Sequence, residues 1–394
     1  MRLSRVLLAA LLALSHHPRS AGGRVVAVWT DIEAIMGGRG TPNATTPPTA
    51  ADVARSERFI EVIANASTLA HTGGFRLAVD ANAAWSGRVS TDLPLRPLHQ
   101  QVMDIVDEIT LMDYFEDCAR WTGPTGGHAD DRDTGQRDDS HLCSIDEAVF
   151  NLTPFLIYAD FLANQMGHVC LVDTGLSMAT QFPPGTPNVS TAGWDNTAIH
   201  TELELETFLR RGNDLTSKFL AQGLHRHFAV FEHINYLVTS AHWGCPLDHS
   251  FCGANTTRPP RALWMYDTLP PDPAHTPMRL CTAYPTGNQC GVLGDLAARA
   301  RFFDWCAERN IVELYINILP SATDKAQRAA FTGFVRDCEA RGIDVQLDVG
   351  EDLTDPAAIY QRIEGVAAWC KEQPALCGGW PCSKANNFCK RPAR

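Results

Sequence analysis

At 394 residues the chain can bury one large core or two ordinary ones, and its composition is that of a globular protein. A formal net charge of −12 argues against a nucleic-acid binder, which needs a basic face. It points instead to an acidic cleft or to plain solubility.

The N-terminus carries Arg2 and Arg5, then an apolar run from Val6 to Leu14, then the small residues Ser20-Ala21-Gly22. This is the pattern of a secretory leader, taken as residues 1–22. The run is too short to cross a bilayer and nothing later approaches that length, so no membrane span is expected. A secreted or lumenal protein follows, and two features agree with it. Asn43, Asn65, Asn151, Asn188 and Asn255 each head an Asn-x-Ser/Thr sequon, a site for a glycan. The 13 cysteines fit an oxidising compartment. Their odd number leaves at least one thiol over, and Cys170, inside a predicted strand, is the candidate. Cys118 with Cys143, Cys245 with Cys252 and Cys281 with Cys290 would each staple a long loop. Cys370, Cys377, Cys382 and Cys389 would pair among themselves or, on a rival reading, hold zinc.

The mature chain begins with strand-like residues that run from Val25 into Asp31-Ile32-Glu33. Alternate strand residues share a face, so the two carboxylates point the same way. A helix follows over 51–71, stopped by Gly73-Gly74, and then a strand over 75–80. A short helix (98–106) leads to a third strand (108–114) and to a long insertion rich in Gly, Asp and His. Helix 153–166 delivers strand 169–173, and an amphipathic segment (201–224) delivers strand 228–233. After a cysteine-bearing loop come strand 262–267, helix 293–309, strand 311–318, helix 324–341, strand 343–348 and helix 356–370. Eight strands alternating with helices predict one (β/α)8 TIM barrel over 23–372, with long disulfide-stapled loops and a cysteine-rich tail, 373–394.

In such a barrel the C-terminal strand ends form the catalytic mouth. The residues expected there are Asp31 and Glu33, Asp80, Asp113 with Tyr114, Asp173, Glu232 with His233, Asp267, Asn317 and Asp348. A rim of like charges raises carboxylate pKa values, so that one acid stays protonated near neutrality. Glycoside hydrolysis uses this chemistry: one carboxyl group protonates the leaving oxygen, while a second stabilises or attacks the anomeric carbon. Trp29, Trp85, Trp121, Trp194, Trp264 and Tyr266 could supply sugar platforms. Asp80, Trp85, Asp113, Asp173, Glu232, Tyr266, Asp267 and Asp348 are thus the expected substrate contacts. Taken singly, an acid after a strand such as Asp80, Asp173, Asp267 or Asp348 is more often only a helix cap or turn former. No HExxH, glycine-rich phosphate loop, G-x-S-x-G elbow or dinucleotide fingerprint is present, and no cofactor is expected. An acidic rim also suits a metal-dependent hydrolase, which stays as an alternative.

Two motifs resemble the family 18 glycoside hydrolases, the chitinases and their relatives. Asp31-Ile32-Glu33 resembles the end of that family's Asp-x-x-Asp-x-Asp-x-Glu signature, and Met112-Asp113-Tyr114 resembles its Met-x-Tyr strand. In the family these lie on the fourth and sixth strands, whereas here they lie on the first and third, which implies a circularly permuted barrel. The resemblance implies Glu33 as general acid, Asp31 as the group that orients a substrate acetamido group, and Tyr114 as a donor to that group. The two earlier signature aspartates are replaced by Val26 and Trp29, and Phe115 stands where an acid would follow the tyrosine. The implied ligand is a polysaccharide or glycan, N-acetylated in the family's pattern. A carbohydrate-binding barrel without turnover is the other reading.

Overall fold

The computed structural model describes residues 25–30, 50–82, 85, 89–90, 96–112, 141–177, 202–231, 258–265, 291–320, 324–350 and 354–378. Its eight barrel strands are β1 (Val25–Thr30), β2 (Arg76–Asn82), β3 (Glu108–Met112), β4 (Leu171–Ser177), β5 (His225–Phe231), β6 (Arg261–Met265), β7 (Ile311–Ile316) and β8 (Asp344–Asp348). Every strand pairs in parallel with its chain neighbours, and β1 closes the ring by pairing with both β2 and β8. The expected (β/α)8 TIM barrel is therefore the fold. The permuted reading requires β1 and β8 to be neighbours, and they are, with Trp29 opposite Asp348. A barrel of this order closes the same way wherever its chain is cut.

Helices pack outside the ring: α1 (Ala50–Gly73), α2 (Leu98–Met103), α3 (His141–Phe161), α4 (Glu202–Leu215), α5 (Ser217–Gln222), α6 (Gly291–Gly294), α7 (Leu296–Glu308), α8 (Lys325–Arg341) and α9 (Pro356–Glu372). Their starts are written in the sequence. Asp295 accepts hydrogen bonds from the Ala297 and Ala298 amides, Asp324 from those of Ala326 and Gln327, and Asp355 from that of Ala358, satisfying donors that a first helical turn leaves open. Gly342 ends α8 in the left-handed conformation that glycine adopts without penalty. The main apolar core lies between helices and strands, where Phe59, Phe155, Phe302, Phe334 and Trp369 meet the outward faces of β1 to β8. No described helix is long and apolar enough to cross a membrane.

The fourth and fifth strands depart furthest from their expected limits. The fourth runs to Ser177, four residues beyond Asp173, because Gly175 is a strand residue and not a turn. A Cβ there would lie 2.9 Å from Cη2 of Trp264 on β6, so only glycine lets that ring approach. The fifth starts at His225, three residues before Phe228, and takes in the polar run His225-Arg226-His227. The segment 201–224 is likewise two helices, broken at Thr216, whose hydroxyl donates to the Gly212 carbonyl at 2.8 Å.

The C-terminal segment returns to the start of the barrel. Cys370 and Cys377 form a disulfide, as expected for the tail cysteines, and the Gly378 amide donates to the Val25 carbonyl at 3.1 Å. Cys170 is a buried free thiol, as expected, and Cys306 and Cys338 are two more.

Candidate functional site

Asp31, Glu33, Asp113, Tyr114, Glu232, Tyr266 and Asp267 lie outside the described residues, and so do Asn43, Asn188, Asn255, Cys118, Cys245, Cys252, Cys281, Cys290, Cys382 and Cys389. Cys143 falls in α3, where only its backbone is described. The described strand ends nevertheless define the mouth. Thr30 ends β1 and pairs with Val79, one residue before Asp80. On the other side the Thr30 hydroxyl donates to the Gly350 carbonyl, and the Val349 amide donates to the Trp29 carbonyl at 2.9 Å. The ends of β1 and β8 are therefore tied, and Asp80 and Asp348 stand on the two strands that flank the exit from β1. Both are buried, Asp80 at 2% and Asp348 at 9% exposure. Asp348 Oδ1 accepts from the Gly350 amide at 2.7 Å, so this carboxylate also shapes the turn in which Gly350 takes a φ of 116°.

Beneath the mouth the lumen is plugged by aromatic rings. Trp264 stacks on Tyr315 with centroids 4.7 Å apart, and Trp29 meets Tyr315 edge-on at 6.2 Å. With Val26, Ala27, Ala78, Ala229 and Ala262 they form a small core separate from the outer one. Trp29 and Trp264 are thus buried packing groups. Trp85 is also buried, outside the lumen, with its ring edge-on to Phe59. Among the sequons, Asn65 is exposed on α1, its amide donating to the Tyr360 hydroxyl at 3.3 Å, and Asn151 is half-buried on α3.

Below the aromatic plug lies a charged layer made from side chains of six strands, β2, β3, β4, β5, β7 and β8. Asp173 belongs to it, well below the rim. Arg226 on β5 donates to Glu108 Oε2 on β3 at 2.8 Å and to Glu313 Oε2 on β7. Arg76 on β2 pairs with the same Glu108 oxygen at 2.9 Å. Gln346 on β8 spends its amide hydrogens on Glu108 Oε1 and Glu313 Oε1, the latter at 3.0 Å. His227 meets Glu313 Oε2 through Nε2 at 2.8 Å, and its Nδ1 lies 3.6 Å from Asp173 Oδ2. That oxygen accepts from the Tyr315 hydroxyl at 3.0 Å, linking the charged layer to the plug.

Burial governs the electrostatics here. It raises Glu108 to about 7 against the pull of Arg226 and Arg76, with the charges of Asp173 and Glu313 adding to the rise. Burial would also raise Glu313, but Arg226 and then His227 hold it well below the usual carboxylate range. For His227 burial works downward, and the Asp173 charge with the Glu313 hydrogen bond prevails and raises it.

Asp173, His227 and Glu313 each offer an atom within 4.8 Å of the others, a spacing that could surround a cation. The neighbouring charge argues otherwise. Arg226 already donates to Glu313, its Nη1 is 3.9 Å from Asp173 Oδ2, and His227 faces the same Glu313 oxygen. A fixed guanidinium takes the place a metal would fill, so this layer is an ionic brace across the barrel.

The brace could have been suspected from the sequence. Glu313 within IVELYI and Gln346 within DVQLD are polar residues in strands that a parallel barrel buries on both faces. Its pairings could not, because the partners are 32 to 238 residues apart.

No family model, curated protein or solved structure matches the chain. What the fold and lumen define is a class: a closed (β/α)8 barrel with a buried acid–histidine cluster below an aromatic plug.

Proposed function

We propose that the protein is a secreted glycoside hydrolase-like barrel acting on a polysaccharide or glycan, with Glu33 as general acid and Asp31 as its partner. One observation carries the reading: the strand that leads into Asp31-Ile32-Glu33 leaves the barrel at the C-terminal mouth, between strands bearing Asp80 and Asp348. That is where (β/α)8 enzymes place their chemistry, and the flanking buried acids favour a raised pKa for a proton donor there. The likeness to family 18 hydrolases in a permuted barrel supports an N-acetylated substrate, with Tyr114 donating to the acetamido group. Function argued from a fold needs a test at the site.

A second reading rests on Trp29. The family's signature has an aspartate at this position, able to share a proton with its neighbour, whereas here the residue is an indole buried in the plug. A carbohydrate-binding barrel without turnover would tolerate that exchange. Hydrolysis of fluorogenic N-acetylglucosaminides and plain glycans by the purified protein and its Glu33→Gln variant, with and without chelator, separates the readings. Turnover lost in the variant and indifferent to chelator supports the hydrolase. Glycan binding without turnover in either protein supports the binding barrel, and loss to chelator supports a metal-dependent hydrolase.

A further inference from the structure

Among the described residues the charged layer is one positive charge short. Three carboxylates, Glu108, Asp173 and Glu313, face two guanidiniums, Arg76 and Arg226, and among the described residues no other fixed charge is paired into the layer. Solvent does not make up the difference, because all three carboxylate side chains are fully buried. We propose that the base of the barrel is a proton-binding site in which one proton, held on His227 between Asp173 and Glu313, neutralises the layer in mild acid and is released above neutrality.

The groups that bear on it come from every side. β2 contributes Arg76, β3 Glu108, β4 Asp173, β5 Arg226 and His227, β7 Glu313 and Tyr315, and β8 the neutral Gln346. β6 adds no charge, since Arg261 is turned outward to Glu206 at 2.7 Å. The described residues of β1 offer the lumen only uncharged groups, Val26, Ala27 and Trp29. His225 points away from the lumen, its Nδ1 3.0 Å from the Thr216 hydroxyl. His227 is the group placed to hold the proton, because it bridges two carboxylates, whereas the oxygens of Glu108 already accept from Gln346 and two arginines, and burial is the largest cause raising it against them. Glu108 and His227 both border Arg226, so a proton on His227 is felt at Glu108 through the shared guanidinium.

The sign follows from their raised pKa values. Glu108 stands at about 7 in the folded state against an ordinary 4.5, and His227 is raised too. The stability they contribute is complete at low pH and is lost as the pH rises through the folded value. The consequence reaches the mouth. Tyr315 donates to Asp173 and stacks under Trp264, so the aromatic plug rests on a layer that is neutral in mild acid and negative above neutrality.

Two other histidines act in the opposite direction. Burial lowers His99 and His225 to about 4, which costs stability in acid, so the pH profile of the whole protein mixes both effects. The clean readout is therefore the difference between Glu108→Gln and the unaltered protein, in which those histidines cancel. Glutamine removes the surplus carboxylate, and with it the need for the proton. The ratio of the two unfolding constants, from urea titrations at about pH 5 and about pH 8, should shift by roughly 10- to 100-fold in favour of the variant at the higher pH. A ratio constant within about threefold would overturn the proposal. If Glu108→Gln does not fold, Glu313→Gln removes another of the three acids and should shift the ratio the same way. Nuclear magnetic resonance of the unaltered protein gives a further check. The His227 ring or the Glu108 carboxyl carbon must titrate near neutrality, and if both signals stay fixed from about pH 5.5 to about pH 8.5 the site does not exist.

Discussion

Gly175→Ala tests whether the lumen is a packed floor. The new Cβ would meet Trp264 Cη2 at 2.9 Å and Cζ3 at 3.2 Å, with the Leu111 carbonyl oxygen 3.4 Å away on the other side. Ordinary carbon contacts begin near 3.5 Å, so the indole must retreat by about half an ångström. It has little room, because it is fully buried and lies on Tyr315, which is anchored to Asp173. Overpacking of this kind costs roughly 1–3 kcal/mol, and we expect about 2 kcal/mol here. The companion change Trp264→Phe deletes the ring edge that clashes and leaves a cavity, at a cost of about 1–3 kcal/mol. Each change relieves the other, so the double variant should be more stable than the sum of the singles by at least about 1 kcal/mol. The assay is urea denaturation of the four proteins in a double-mutant cycle. Additivity within about 0.5 kcal/mol would refute the argument, since it would mean that the two side chains do not compete for the same space.

Two further outcomes follow. His99 is stacked against Phe155 and is held neutral by burial, with a pKa of about 4, so its contribution is complete above about pH 6.5 and falls away toward pH 4. His99→Phe should gain roughly 2–3 kcal/mol over the unaltered protein across that interval, read from urea midpoints, and a gain independent of pH would contradict it. The Cys370–Cys377 bridge spans seven residues and pins the segment that reaches Val25, so Cys370→Ser with Cys377→Ser should cost roughly 2–3 kcal/mol. Amide exchange at Gly378 should quicken in that variant, and unchanged protection would show that the hydrogen bond to Val25 holds without the disulfide.

The barrel was legible in the sequence because its outward faces obey simple rules. Apolar strand runs alternate with helices whose Asp295, Asp324 and Asp355 caps mark where each begins. The lumen follows different rules. Gly175 looks like a turn until the Trp264 ring above it is known, and that ring is 89 residues away in the chain. The run His225-Arg226-His227 has the polarity of a loop, yet it is strand, because its charges are answered by Glu108, Asp173 and Glu313 from three other strands. Local propensity cannot register a partner so distant, and this displaced Asp173 from the expected rim to the base. Asp348 shows the reverse, a carboxylate at the expected strand end that also serves as the turn former an acid after a strand so often is.

The seam between β1 and β8 has a consequence for how the chain is made. A ribosome delivers β1 first among the strands and β8 last, so the earliest strand waits unpaired on one edge until almost the whole protein has emerged. Its final contacts, from Cys377 and Gly378, come later still. The Asp31-Ile32-Glu33 motif is attached to this waiting strand, so any activity that depends on it switches on only when the ring shuts. A nascent chain arrested before residue 344 would carry the motif with one wall missing beside it.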